Sequence, residues 1–103
     1  MSVNNIEMKG KLKKIANGCK SYDISGADQN HIFEFADILT KQFGFHMIGA
    51  PVAGCDGVYW VAFKESIQLT VGWDIWSGAF VMAHCRKGNK YIEDIQNFYD
   101  NQK

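Results

Sequence analysis

Residues 58–84 leave this chain little choice but neighbouring antiparallel strands. Ile67, Leu69, Val71 and Trp73 alternate with Gln68 and Thr70. That period of two places one set on each side of a sheet. The polar turn Lys64-Glu65-Ser66 joins this segment to the apolar run 58–63. On its other side, Asp74, Ser77 and Gly78 supply turn chemistry. Residues 79–84 then return, with Phe80 and Met82 on one side and Val81 and Ala83 on the other. Turns this short pair strands antiparallel. The unbroken apolar run 58–63 predicts a central strand covered on both faces. A further strand is expected over 45–50, stopping at Pro51 before a glycine-rich loop over 51–57.

Helical spacing appears twice. Ile32, Phe35, Ala36, Leu39 and Phe43 recur at helical intervals, opposite Glu34, Asp37 and Lys41, and Gly44 stands at the C-cap. Ser25 with Asp28 fits a capping box, and Asp28 also suits a cap by itself. The helix is therefore expected over 27–43. Ile92, Ile95, Phe98 and Tyr99 mark a terminal helix with Asn89 as its cap. Residues 20–24 alternate as a short strand, whereas 11–16 read equally as a strand or a short helix. The expected order is β-α-β-β-β-β-α. It describes one α+β domain over 1–103, with four to five antiparallel strands, a helix before most of them and a helix after.

Composition narrows the function classes. Aromatic residues are 14% of the chain and proline occurs once, which describes a folded domain. Net charge is zero, yet Lys9, Lys11, Lys13, Lys14 and Lys20 face only Glu7 within residues 1–20. The rest is correspondingly acidic. This basic segment, with residues 1–10 as an arm, reads either as solvated or as a contact for an acidic partner or RNA. Nucleic acid is disfavoured, because the expected sheet carries few accompanying lysines or arginines and no RNA-recognition consensus. The three cysteines, Cys19, Cys55 and Cys85, are odd in number and lack metal-ligand spacing. Free thiols in a reducing cytoplasm are expected. No apolar run approaches the ~20 residues of a membrane span, and none resembles a signal peptide.

The functional signal is the hairpin tip. Trp73, Asp74 and Trp76 crowd into four positions, and a turn has no need of tryptophan. Trp60 and Trp73 fit as core fillers. Trp76 lies beyond the alternating pattern and is expected at the rim, where amphipathic rings serve interfaces. In an antiparallel order the 51–57 loop and the 74–78 turn fall at the same end of the sheet. Asp56, Tyr59, Asp74 and Trp76 are thus the candidate partner-binding residues, an acidic patch flanked by aromatics. Asp74 also suits an Asx-turn that caps backbone amides.

Other constellations carry less. Cys55, between glycines, is the best placed thiol, but no base or oxyanion site accompanies it in sequence. His84 and Cys85 alternate to opposite faces and do not chelate together. His84 reads as a structural histidine. Gly49, Gly54 and Gly57 match neither a P-loop nor a dinucleotide fingerprint. No enzyme, metal or cofactor is expected.

The segment LTVGWDIWSGAFVMAHCRKGNKYIEDI resembles small bacterial immunity proteins of polymorphic-toxin and contact-dependent growth inhibition systems. The features are Gly72-Trp73-Asp74, the Trp76-Ser77-Gly78 turn, the returning strand, and Gly88-Asn89 before the last helix. They cover about a third of the chain. The resemblance implies a cytoplasmic protein that binds a cognate toxin domain, often a nuclease, and neutralises it by occlusion. Nuclease immunity proteins are frequently acidic, whereas this chain is neutral. The rival expectation is a small non-catalytic interaction or regulatory domain unrelated to toxins.

Overall fold

The structure, a computed structural model, describes residues 10–101. The basic arm expected over 1–10 therefore lies, Gly10 excepted, outside the described residues. The protein is α+β. Six strands form one antiparallel sheet: β1 (Lys11–Lys14), β2 (Lys20–Ile24), β3 (His46–Ala53), β4 (Gly57–Lys64), β5 (Ile67–Asp74) and β6 (Gly78–Ala83). Helix α1 (His31–Phe43) joins β2 to β3, and α2 (Asn89–Asp100) follows β6. The spatial order is β1-β2-β6-β5-β4-β3. The sheet has six strands where four to five were expected, because 11–14 does pair, with Lys11 opposite Asp23. The chain then closes through a 3-10 turn at Ala16–Gly18.

Both helices lie on one face. Ile32, Phe35 and Leu39 from α1 meet Ile92 and Ile95 from α2 over Tyr22, Leu69, Val71 and Val81, all within one buried cluster. Trp60 and Trp73 pack against this core, as expected, and each indole N–H donates to a carbonyl: Trp73 to Ala27 (2.8 Å) and Trp60 to Gly49 (2.9 Å). Lys64 also points to the helix side. Its ammonium donates to the Phe43 carbonyl (2.8 Å) at the C-terminus of α1 and lies over the Tyr91 ring, two contacts that both favour the cation.

Four local expectations are corrected. Helix α1 begins at His31, not 27, because Asp28 builds a turn instead of a capping box. Its carboxylate accepts from the Asn30 amide (2.9 Å) and its carbonyl from the His31 amide (3.1 Å). Strand β3 does not stop at Pro51. It runs to Ala53 through a bulge between Ile48 and Val52, with Gly49 at φ 60°, and Pro51 is tolerated because β3 is an edge. Asn89 does not cap α2. Its side chain reaches across to the Lys20 amide and the Gly18 carbonyl, both at 2.9 Å, and ties the start of α2 to β2. Finally, β4 is covered on one face only. Its apolar run sends Val58, Trp60 and Ala62 to the helices, and Tyr59, Val61 and Phe63 the other way.

Candidate functional site

Among the described residues, no element covers the second face of the sheet. Register fixes what it presents. One cross-strand row runs Lys11, Asp23, Phe80, Gly72, Tyr59, Val52. The next runs Lys13, Ser21, Met82, Thr70, Val61, Ile48. The face thus grades from basic at β1, through polar residues on β2, to apolar on β6, β4 and β3. Among the apolar residues exposure rises toward β3: Phe80 on β6 is buried, Tyr59 and Phe63 on β4 are each 41% exposed, and Ile48 and Val52 on β3 are 54% and 67% exposed. Singly scattered exposed apolar residues are ordinary, whereas here Ile48, Val52, Tyr59 and Phe63 are gathered on one face.

The tip of the β5–β6 hairpin stands at one end of this face. Asp74 organises it by accepting, through Oδ1, from the amides of Trp76 (3.0 Å) and Ser77 (2.6 Å). Gly78 closes the turn at φ 78°, so close to β2 that a Cβ would stand 2.3 Å from the Ile24 carbonyl oxygen. A rigid turn leaves the Trp76 ring outside, 73% exposed. The neighbouring β3–β4 turn is joined to it, because the Ile75 amide donates to the Asp56 carbonyl (3.2 Å).

A cleft of about 270 Å³ opens between β1 and the tip, lined by Lys11, Lys13, Asp23, Ser25, Trp76 and Ser77. Within it Lys13 lies 3.4 Å from Asp23, whose carboxylate also accepts from the Ser21 hydroxyl. A second, shallower concavity beside it is floored by Tyr59, Phe80 and Met82, with Asp74 on its wall.

The structure therefore puts Tyr59, Asp74 and Trp76 around one end of the open face, whereas Asp56, at the same end of the sheet, lines a concavity with Gln29, Val58 and Trp73 on the helix side. Asp56 and Trp76 are exposed, and Tyr59 is partly exposed. Asp74 is half-buried with one oxygen committed to the turn, the Asx-turn alternative. Sequence pattern alone does not find Phe63, whose apolar run 58–63 reads as covered on both sides, nor Ile48 and Val52, because the bulge that carries β3 past Pro51 and brings both onto this face leaves no clear alternation. The pattern also holds the basic segment apart from the tip, although Lys11 and Lys13, two residues apart on a strand, necessarily share a face.

None of the cysteines or histidines lines the cleft. Cys19 is buried, Cys85 half-buried and Cys55 exposed at the β3–β4 turn. His84 pairs with the Thr70 hydroxyl at 2.6 Å. On the helix side, the Tyr99 hydroxyl donates to Glu34 (2.7 Å) and meets His31 Nε2 (2.9 Å), linking α2 to α1. Burial, then the hydrogen bond to Glu34 and the Glu34 charge, push the Tyr99 phenol far above its ordinary range. No described helix is long and apolar enough to cross a membrane.

Comparison of the chain with protein-family models, with curated proteins and with solved structures finds no match.

Proposed function

We propose that this chain is a cytoplasmic immunity protein that binds a cognate bacterial toxin domain and neutralises it by occlusion, with no chemistry of its own. The observation that carries the binding half of this reading is the uncovered sheet face. Ile48, Val52, Tyr59 and Phe63 lie exposed together, with Trp76 projecting at its end. Interfaces concentrate their energy in a few aromatic anchors surrounded by apolar contacts. Tyr59 and Trp76 take the anchor role here, Asp56 sits on the rim, and Asp74 holds Trp76 in place.

The sheet edges favour recognition through the face. At β1 the edge carries Lys11, Lys13 and Lys14, and at β3 it is bent by the bulge and Pro51. Both devices discourage strand addition. The toxin as partner rests on the resemblance of residues 69–95.

The test is co-expression with a toxin domain encoded beside this chain. Wild type protects, and Tyr59→Ser with Phe63→Ser protects far less while circular dichroism stays unchanged. Failure of wild type to protect or to bind the toxin removes the immunity reading. A non-toxin partner held through the same face would then establish the rival interaction domain.

A further inference from the structure

We infer that the cleft between β1 and the hairpin tip receives an acidic side chain of the protein partner. The inference rests on the sheet face being the interface, as proposed above, and gives the chemistry of one pole of that interface.

The cleft has the groups a carboxylate needs. Lys11 and Lys13 project from alternate positions of one strand, on the same side. Asp23 offsets Lys13 at 3.4 Å, while Lys11 has no carboxylate partner among the described residues. The lining therefore carries more positive than negative charge. Ser25 and Ser77 add hydroxyls, and the exposed Trp76 indole adds an N–H donor and an apolar ring for the methylenes of the incoming side chain. Asp74 does not line this cleft, and its Oδ1 is occupied by two backbone amides.

Charge and geometry together favour a protein over a nucleic acid. A phosphate backbone needs cations along its whole track. Beyond β1, the outward residues in the two central rows of this face include no lysine or arginine, and they end in the apolar Tyr59, Val61, Ile48 and Val52. The complementary surface is a protein with an apolar ridge and an acidic residue at one end of it. The β1 and β3 ends of the face are five strand spacings apart, roughly 24 Å. That span is well within the footprint of an ordinary protein–protein interface.

The test is an NMR titration of the full ¹⁵N-labelled chain with three probes: a capped Glu-Phe-Glu tripeptide, its Lys-Phe-Lys counterpart, and a short oligothymidylate. The expected result is a saturable shift of the Lys11, Lys13 and Ser77 amides and the Trp76 indole with the acidic peptide alone. High salt, or Lys11→Glu with Lys13→Glu, weakens that binding at least tenfold. Equal response to the basic peptide, tighter binding of the oligothymidylate, or no saturable shift at millimolar acidic peptide overturns the inference. Loss of toxin protection in Tyr59→Ser with Phe63→Ser, alongside a failed titration, sinks this inference and leaves the occlusion reading standing. Should the toxin itself go unbound, the occlusion reading falls whatever the titration gives.

Discussion

Phe80 lies across the bare backbone of Gly72, its cross-strand neighbour, so closely that a Cβ on Gly72 would stand 2.5 Å from the Phe80 Cζ. Gly72 has no left-handed backbone to explain its identity. Space alone demands glycine there. The notch seats the Phe80 ring and leaves it buried, whereas Tyr59, Phe63, Ile48 and Val52 on the same face are exposed. Tyr59 approaches the same ring with centroids 6.3 Å apart.

Gly72→Ala is therefore expected to destabilise by about 1–3 kcal/mol through overpacking. In a Phe80→Ala background the same change should cost much less, since the obstructing ring is gone. Urea unfolding of the two single variants and the double variant measures this coupling. Simple additivity would mean that the glycine is needed for some other reason.

Asp74 separates two roles by substitution. Asp74→Asn keeps an oxygen for the Trp76 and Ser77 amides and should leave stability close to wild type. Asp74→Ala removes the acceptor and should cost about 1 kcal/mol. Partner binding should follow stability if the residue acts by holding Trp76. Binding lost in Asp74→Asn with an unchanged melting temperature would instead identify the charge as a direct contact.

Leu69 and Phe63 face opposite sides of neighbouring strands. Leu69→Ala empties a fully buried site under both helices and should cost roughly 2–5 kcal/mol. Phe63→Ser, on the open face, should change stability by no more than about 0.5 kcal/mol. Chemical denaturation of both variants checks which face is core. Comparable losses would mean that something covers the second face.

Two phenols set the alkaline limit. Burial, and then the Asp100 charge, raise Tyr22, against a smaller lowering by the Gly10 backbone. Tyr99 is raised further by burial and Glu34. Each keeps its proton in the folded chain, where the unfolded chain releases it near the ordinary value of 10.0. Their contribution is thus complete below pH 10 and declines as pH rises above it. Melting temperature should fall steeply from about pH 10 upward. Tyr99→Phe should flatten that fall while losing about 1 kcal/mol at neutral pH from the Glu34 and His31 hydrogen bonds.

Much of this architecture is legible in residue order. Alternation at Ile67–Trp73 and the stripe Ile32, Phe35, Leu39 give strand phase and helix face directly, since both periods are set by backbone geometry. What could not be read was cover. A run such as Val58-Tyr59-Trp60-Val61 is apolar on both sides, whether helices flank the sheet twice or a partner takes one side. Helix starts were missed for a related reason. Asp28 and Asn89 suit capping, but their side chains found better partners in a turn and in β2. Of the candidate site, Trp76 and its end of the sheet were legible from turn chemistry and strand order. Its neighbours Lys11 and Lys13 come from a strand 65 and 63 positions away, and only the pairing of β1 with β2 brings them there.

The bulged β3 edge and the lysine-bearing β1 edge have a consequence for valence. A sheet can grow sideways by hydrogen bonding or upward by stacking. Here sideways growth is discouraged at both ends, and the helices already occupy one of the two stacking directions. A single open direction remains. Association through that face alone therefore pairs one molecule with one other and leaves no second open face of the sheet for a third.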